Sequence, residues 1–115
     1  MVELSWPAKA LSPNHRSRSH WPRTNAIKAA VNEAWGATKA AMHGQPFIHD
    51  GGRLTFVITA YPPTRHDRDD DNMVASLKGH RDGIAKALGI DDKHFDQRLQ
   101  WGEPVKGGCV VVQIA

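Results

Sequence analysis

The run Asp67-Arg68-Asp69-Asp70-Asp71 constrains this chain more than any other feature. Four carboxylates within five residues repel one another. A fold gathers them only where a cation offsets their charge or where water reaches them all. The run is part of a wider asymmetry, because eight of the nine Asp fall between Asp67 and Asp96. The first 30 residues instead carry Lys9, Arg16, Arg18, Arg23 and Lys28 against Glu3 alone. A basic arm joined to an acidic patch suits a protein that holds phosphates with one region and a metal with another. Ordinary solvated surface is the competing explanation, and the net charge of +3 does not decide between them.

With 115 residues the chain fits one domain over 1–115 and leaves little room for a second. A domain this short has a modest core, which oligomerisation would supplement. Four Trp and a 40% apolar content suffice for a globular interior. No run approaches the roughly 20 apolar residues that cross a bilayer. The opening MVELSWPAKAL lacks the charged start and apolar stretch of a signal peptide. The expectation is a cytoplasmic protein without a membrane partner. Cys109 is the only cysteine, so an internal disulfide and a thiolate zinc site are excluded. In the apolar run GGCVVVQIA it reads as a packing thiol.

Periodicity predicts the order β-α-β-α-β-β, a small α/β (α+β) domain with a mixed sheet and two main helices. VELSW opens it as a short strand, followed by a loop rich in Pro and basic residues. A helix is predicted from about Thr24 to His43, with Thr24 or Asn25 as cap and Gly44 and Pro46 as stop. Ile27, Ala30, Val31, Ala34, Trp35 and Ala41 form its apolar stripe. The strand RLTFVITAYPP presents Leu54, Phe56 and Ile58 on one side. A second helix is predicted from about Asp71 to Leu88, with Met73, Leu77, Ile84 and Leu88 inward and Gly89 as terminator. Asp91-Asp92 begins another short turn. The closing strands RLQWGEPV and GCVVVQIA read as a hairpin turned through Lys106-Gly107-Gly108.

Mg²⁺ prefers hard oxygen ligands and retains several waters, so two or three carboxylates hold it near a phosphate. If the chain is still extended at Asp69–Asp71, Asp69 and Asp71 share a face and Asp70 points away. In a helix beginning at Asp71, steps of 7 and 11 residues nearly complete whole turns and align Asp71, Lys78 and Asp82. Lys78 would then lean toward a phosphate held by the Asp pair. Asp92 joins the group only if the chain returns after the helix. Helix capping competes for these Asp, but one cap needs one Asp. Lys78 with Asp82 also reads as a solvated i,i+4 pair.

These residues resemble the RusA-like family of Holliday junction resolvases. The resemblance rests on Asp69-x-Asp71-Asn72, Lys78-x-x-x-Asp82-Gly83, Ala87-Leu88-Gly89-Ile90-Asp91-Asp92 and Pro104-Val105-Lys106-Gly107-Gly108. The opening Trp6-Pro7, and Leu11-Ser12-Pro13-Asn14 with Arg16, His20 and Trp21, is similar too, so the likeness covers nearly the whole chain. It implies a homodimeric, Mg²⁺-dependent endonuclease that nicks opposed strands of a four-way junction. Within it, Asp69, Asp71 and Asp92 bind metal and Lys78 assists. Lys78 stands about one helical turn further from Asn72 than in some members of the family.

The expected chemistry is hydrolysis of a DNA phosphodiester with Mg²⁺, for which Mn²⁺ would substitute. Lys78 would add positive charge or orient water. His66 and His80 flank the region, as general bases or as ordinary structural residues. Asn14, Arg16, Arg18 and Arg68 are the expected DNA contacts, mainly to phosphates. Trp21 is read either as a stacking platform for an unpaired base or as packing. Two symmetric nicks imply a C2 dimer, with the final hairpin and the Thr24–His43 helix as candidate interfaces. The alternatives are a non-catalytic branched-DNA-binding module and a metal-dependent nuclease for other nucleic acids.

Overall fold

Eight residues of LTFVITAY alternate inward and outward, and β-branched and aromatic side chains fill that pleat. They form β2 (Leu54–Tyr61), with Phe56, Ile58 and Ala60 buried. The computed structural model describes residues 1–12, 21–47, 51–65 and 68–114, and the side chain of Trp21 is outside that description. Asn14, Arg16, Arg18, His20, His66 and Asp67 therefore lie outside the described residues. Around β2 the element order is β1 (Val2–Ser5), α1 (Trp21–Met42), β2, α2 (Asp70–Ser76), α3 (Lys78–Leu88), β3 (Phe95–Trp101) and β4 (Cys109–Ile114). Short 3-10 turns occupy Lys9–Leu11 and Asp92–His94.

The four strands form one mixed sheet in the order β1-β4-β2-β3. β4 pairs antiparallel with both β1 and β2, whereas β3 runs parallel to β2. The parallel pair needs a crossover, which α2 and α3 supply. Arg53 anchors the start of that pair, donating to the Asp96 carboxylate and, at 2.8 Å, to the Lys93 carbonyl. Its guanidinium holds the exposed Asp96 carboxyl below the usual carboxylate range. The predicted hairpin of the last two strands does not form. β3 and β4 are separated by β2, and residues 102–108 pass over the end of β2, with the Val105 N–H donating to the Pro62 carbonyl at 2.9 Å.

One face of the sheet is covered by α1 and α3, burying Val2, Leu4, Phe56, Ile58, Val110 and Val112 against Ala34, Ile84 and Leu88. α1 begins at Trp21, three residues before the predicted start, which places Thr24 and Asn25 inside the helix. Pro22 suits that start, because its missing N–H falls where a first-turn donor has no partner. The buried stripe is also narrower than predicted. Ala30, Ala34 and Thr38 are buried, but Ile27 and Trp35 are 39% and 42% exposed.

The small residues are inward because α3 comes very close. A Cβ on Gly83 would lie 2.3 Å from the Val31 carbonyl oxygen, and one on Gly79 would lie 3.2 Å from the Ala30 Cβ. The predicted single helix over Asp71–Leu88 is in fact two, broken at Leu77 (φ −97°, ψ 5°). Leu77 is itself buried, so the break lets both halves reach the core. Met73, Ile84 and Leu88 are buried as the pattern predicts.

His80, on α3, is 4% exposed, and its Nδ1 has no hydrogen-bond partner. Burial pushes its imidazole below the ordinary value of 6.5, with Glu33 opposing. An unfolded chain therefore protonates this His at a pH where the folded chain still holds it neutral. That difference costs nothing above about pH 6.5 and removes stability as the pH falls from there toward the lowered folded value. Urea unfolding at pH 7.5 and 5.5 checks this. Wild type should lose more stability across that interval than His80→Leu, and equal losses would show that His80 does not carry the effect.

Candidate functional site

The acidic turn follows the carboxyl end of β2, where α/β sheets commonly place their sites. Asp69 is extended (φ −89°, ψ 123°) and caps α2, its Oδ1 accepting from the N–H groups of Asp71 and Asn72 at 2.8 and 3.2 Å. Helix α2 has already begun at Asp70, so the strand-like alternation expected for Asp69–Asp71 ends there. Asp70 nevertheless turns elsewhere, its Oδ1 accepting from the Trp101 indole N–H at 2.7 Å. Asp69 and Asp71 are both exposed.

Because Asp69 serves as a cap, its two properties are separable by substitution. Asp69→Ala should cost about 1 kcal/mol of stability, whereas Asp69→Asn retains a capping oxygen and should cost at most a few tenths. Thermal unfolding of the two variants checks this, and equal losses would contradict the capping role.

The remaining expected residues are placed differently. The break at Leu77 puts Asp71 and Lys78 on separate helices, so the single face predicted for Asp71, Lys78 and Asp82 is not formed. The Lys78 ammonium lies 3.3 Å from the Asp82 carboxylate in an exposed i,i+4 pair. Asp92 precedes β3, at the end of the sheet where Leu54 opens β2. Asp70, next to Asp69 and Asp71, meets Trp101 at the other end of β3, about 20 Å of strand away. Arg81 Nη2 donates to the Asp92 carbonyl at 3.3 Å, which holds that turn against α3. Asp91 caps the turn through the Lys93 N–H, a bond that lowers its own pKa. Among the described residues, no group of three His, Cys, Asp or Glu side chains is close enough to hold a metal ion.

Beside the acidic turn lies a feature that the sequence reading passed over. Two adjoining clefts of about 620 and 320 Å³ share Arg68 and Trp101 as walls. The larger is lined by Pro62, Arg65, Trp101 and Pro104. The smaller contains Trp6, Lys9, Asp69 and Asn72. Trp6 and Trp101 lie 6.5 Å apart at 47°, and the Arg68 guanidinium stands 5.3 Å over the Trp6 ring. Arg68 also donates to the Thr64 hydroxyl at 3.1 Å. Gly108 lets Trp6 settle there, since a Cβ on it would lie 3.1 Å from that indole. The signal in the sequence was the unusual number of Trp for so short a chain, but the convergence of Trp6 and Trp101 depends on β1 and β3 ending at the same end of the sheet.

No family model matches the sequence. A protein of Xylella fastidiosa, described only as uncharacterized, is 48% identical over 115 residues, spanning 98% of this chain and 74% of its own length. The chain belongs to the same family as that protein. The aligned stretch takes in the sheet, the helices and the acidic turn. Among the described residues, no helix is long and apolar enough to cross a membrane.

Proposed function

We propose that this protein is a metal-dependent endonuclease acting on branched DNA, a four-way junction resolvase that works as a homodimer. The observation that carries this reading is the exposed Asp69 carboxylate on a cleft walled by Arg68 and two tryptophans, with the exposed Asp71 two residues further on in the first turn of α2. Their donor chemistry fits Mg²⁺, which takes one or two protein carboxylates and completes its shell with water and substrate phosphate. When bound, Mg²⁺ activates water for attack and offsets charge developing on the phosphodiester.

The chain's own residues supply the rest. The capping bonds fix Asp69 Oδ1 in place before substrate arrives, which removes part of the ordering cost. Lys9 and Arg68, on the walls of the smaller cleft, are positioned to receive strand phosphates. Asn14, Arg16 and Arg18 belong to the proposed DNA arm. Lys78 and Asp92 remain candidate participants through the resemblance to RusA-like resolvases. Asp92 stands away from the other two carboxylates within one protomer. A homodimer places two such clefts in one complex, as two symmetric nicks require.

The reading is tested by incubating the protein with a four-way junction, a matched linear duplex and a branched RNA, with Mg²⁺ or Mn²⁺. Paired nicks confined to the junction are expected, and equal cutting of RNA or linear duplex would change the substrate class. A second reading is a non-catalytic branched-DNA-binding module. It is favoured by the structural occupation of Asp69 as a cap and of Asp70 by Trp101. Junction binding without nicking at any divalent concentration would select it.

A further inference from the structure

We propose that the larger cleft, bounded by Trp101, Arg68, Pro62 and Pro104, is a receptor for one unpaired nucleobase of the DNA substrate. The inference rests on the nucleic-acid reading above and names what that surface recognises. The indole N–H of Trp101 is already committed to Asp70, so the chemistry Trp101 offers a ligand is that of its π-face. The bond to Asp70 also fixes the ring's orientation before anything binds. Arg68 contributes a second planar surface, with the Trp6 ring 5.3 Å from its guanidinium. Planar aromatic and guanidinium faces flanked by proline are what a nucleobase stacks on, whatever its identity.

Charge selects the ligand further. Arg65 and Arg68 stand at the cleft, where the phosphates flanking an inserted base would lie. Arg65 lies 2.7 Å from Glu103, and this pair is exposed at both ends, so a phosphate can compete for it at little cost. The cleft is open to solvent, and its volume of about 620 Å³ is in the range of small-ligand sites. The neighbouring cleft, which contains Asp69, begins on the other side of Arg68 and Trp101. A base held in the larger cleft would thus set the register of its strand beside the acidic turn. Paired bases are stacked within a duplex and do not offer a free face, so the cleft prefers DNA with an unpaired position.

Binding is measured in Ca²⁺ for three duplexes of one sequence. One is fully paired, one carries a single unpaired thymine, and one has an abasic residue in place of that thymine. Wild type should bind the thymine duplex at least about fivefold more tightly than the abasic one. Trp101→Leu should bind the thymine and abasic duplexes equally, and Trp101→Phe, which keeps a ring but not the bond to Asp70, should retain part of the preference. Equal binding of thymine and abasic duplexes by wild type overturns the proposal, as does a full preference in a folded Trp101→Leu. Should the Leu variant fold poorly, tryptophan emission decides. The unpaired thymine should quench wild type more than Trp101→Phe, and equal quenching overturns the assignment. Preference without Mg²⁺-dependent nicking leaves the cleft standing and removes the nuclease reading. Nicking without preference removes the cleft alone.

Discussion

Gly83→Ala is expected to destabilise the protein by about 3 kcal/mol and to lower its Tm by roughly 10 °C. The new Cβ would sit 2.3 Å from the Val31 carbonyl oxygen, 2.9 Å from the Ala34 Cβ and 3.0 Å from the Trp35 backbone nitrogen. Two of these neighbours are backbone atoms of α1, so no side chain can rotate away. Relief requires the two helices to separate, and both cover the same face of the sheet. Gly36→Ala is the matched control, because nothing lies within 4 Å of its Cβ position on the same helix pair. There the substitution should stabilise by about 0.5–1 kcal/mol through helix propensity. Thermal unfolding of both variants decides, and a Gly83→Ala protein as stable as wild type would mean that α1 and α3 do not pack at this distance.

That contact bears on how the Asp82-Gly83 pair is read. In the sequence it belongs to a pattern that resembles an endonuclease family. In the fold, Gly83 packs against the backbone of α1 with no room for a Cβ. Asp82 forms an exposed pair with Lys78.

The strands with strict alternation, β1 and β2, were legible because burial of one face forces a period of two. The break at Leu77 was not legible. Met73, Leu77, Ile84 and Leu88 satisfy one continuous helix, and the packing of Gly79 and Gly83 on α1 is decided far away in sequence. The supposed hairpin failed for a related reason. Lys106-Gly107-Gly108 has the composition of a tight turn, but β3 finds its partner in β2 through the crossover, and β4 lies on the other side of β2. The acidic turn stood out by composition, but the extended geometry expected to set Asp70 apart gives way to the first turn of α2, and Asp70 turns aside through its bond to Trp101 instead. The tryptophan cleft was invisible, since Trp6 and Trp101 come from opposite ends of the chain and meet only because β1, β2 and β3 run the same way and finish at the same end of the sheet.

The second large effect concerns Asp71. If Asp69 and Asp71 hold the metal, Asp71→Asn keeps the shape of the side chain and removes a charged ligand. Cleavage should then fall by at least about a hundredfold. Stability should change little, because Asp71 is exposed and the α2 cap is supplied by Asp69. Asp70→Asn preserves an oxygen for the Trp101 N–H and should retain most of the activity. This contrast between adjacent Asp separates ligation from the mere loss of negative charge, which both substitutions share.

The central claim is tested most directly by nicking of a synthetic four-way junction in Mg²⁺, with wild type, Asp71→Asn and Asp70→Asn side by side. The expected result is paired nicks by wild type and Asp70→Asn, and loss of nicking in an Asp71→Asn protein that still binds the junction. Nicking by Asp71→Asn at the wild-type rate would contradict the assignment of the acidic turn as the metal site.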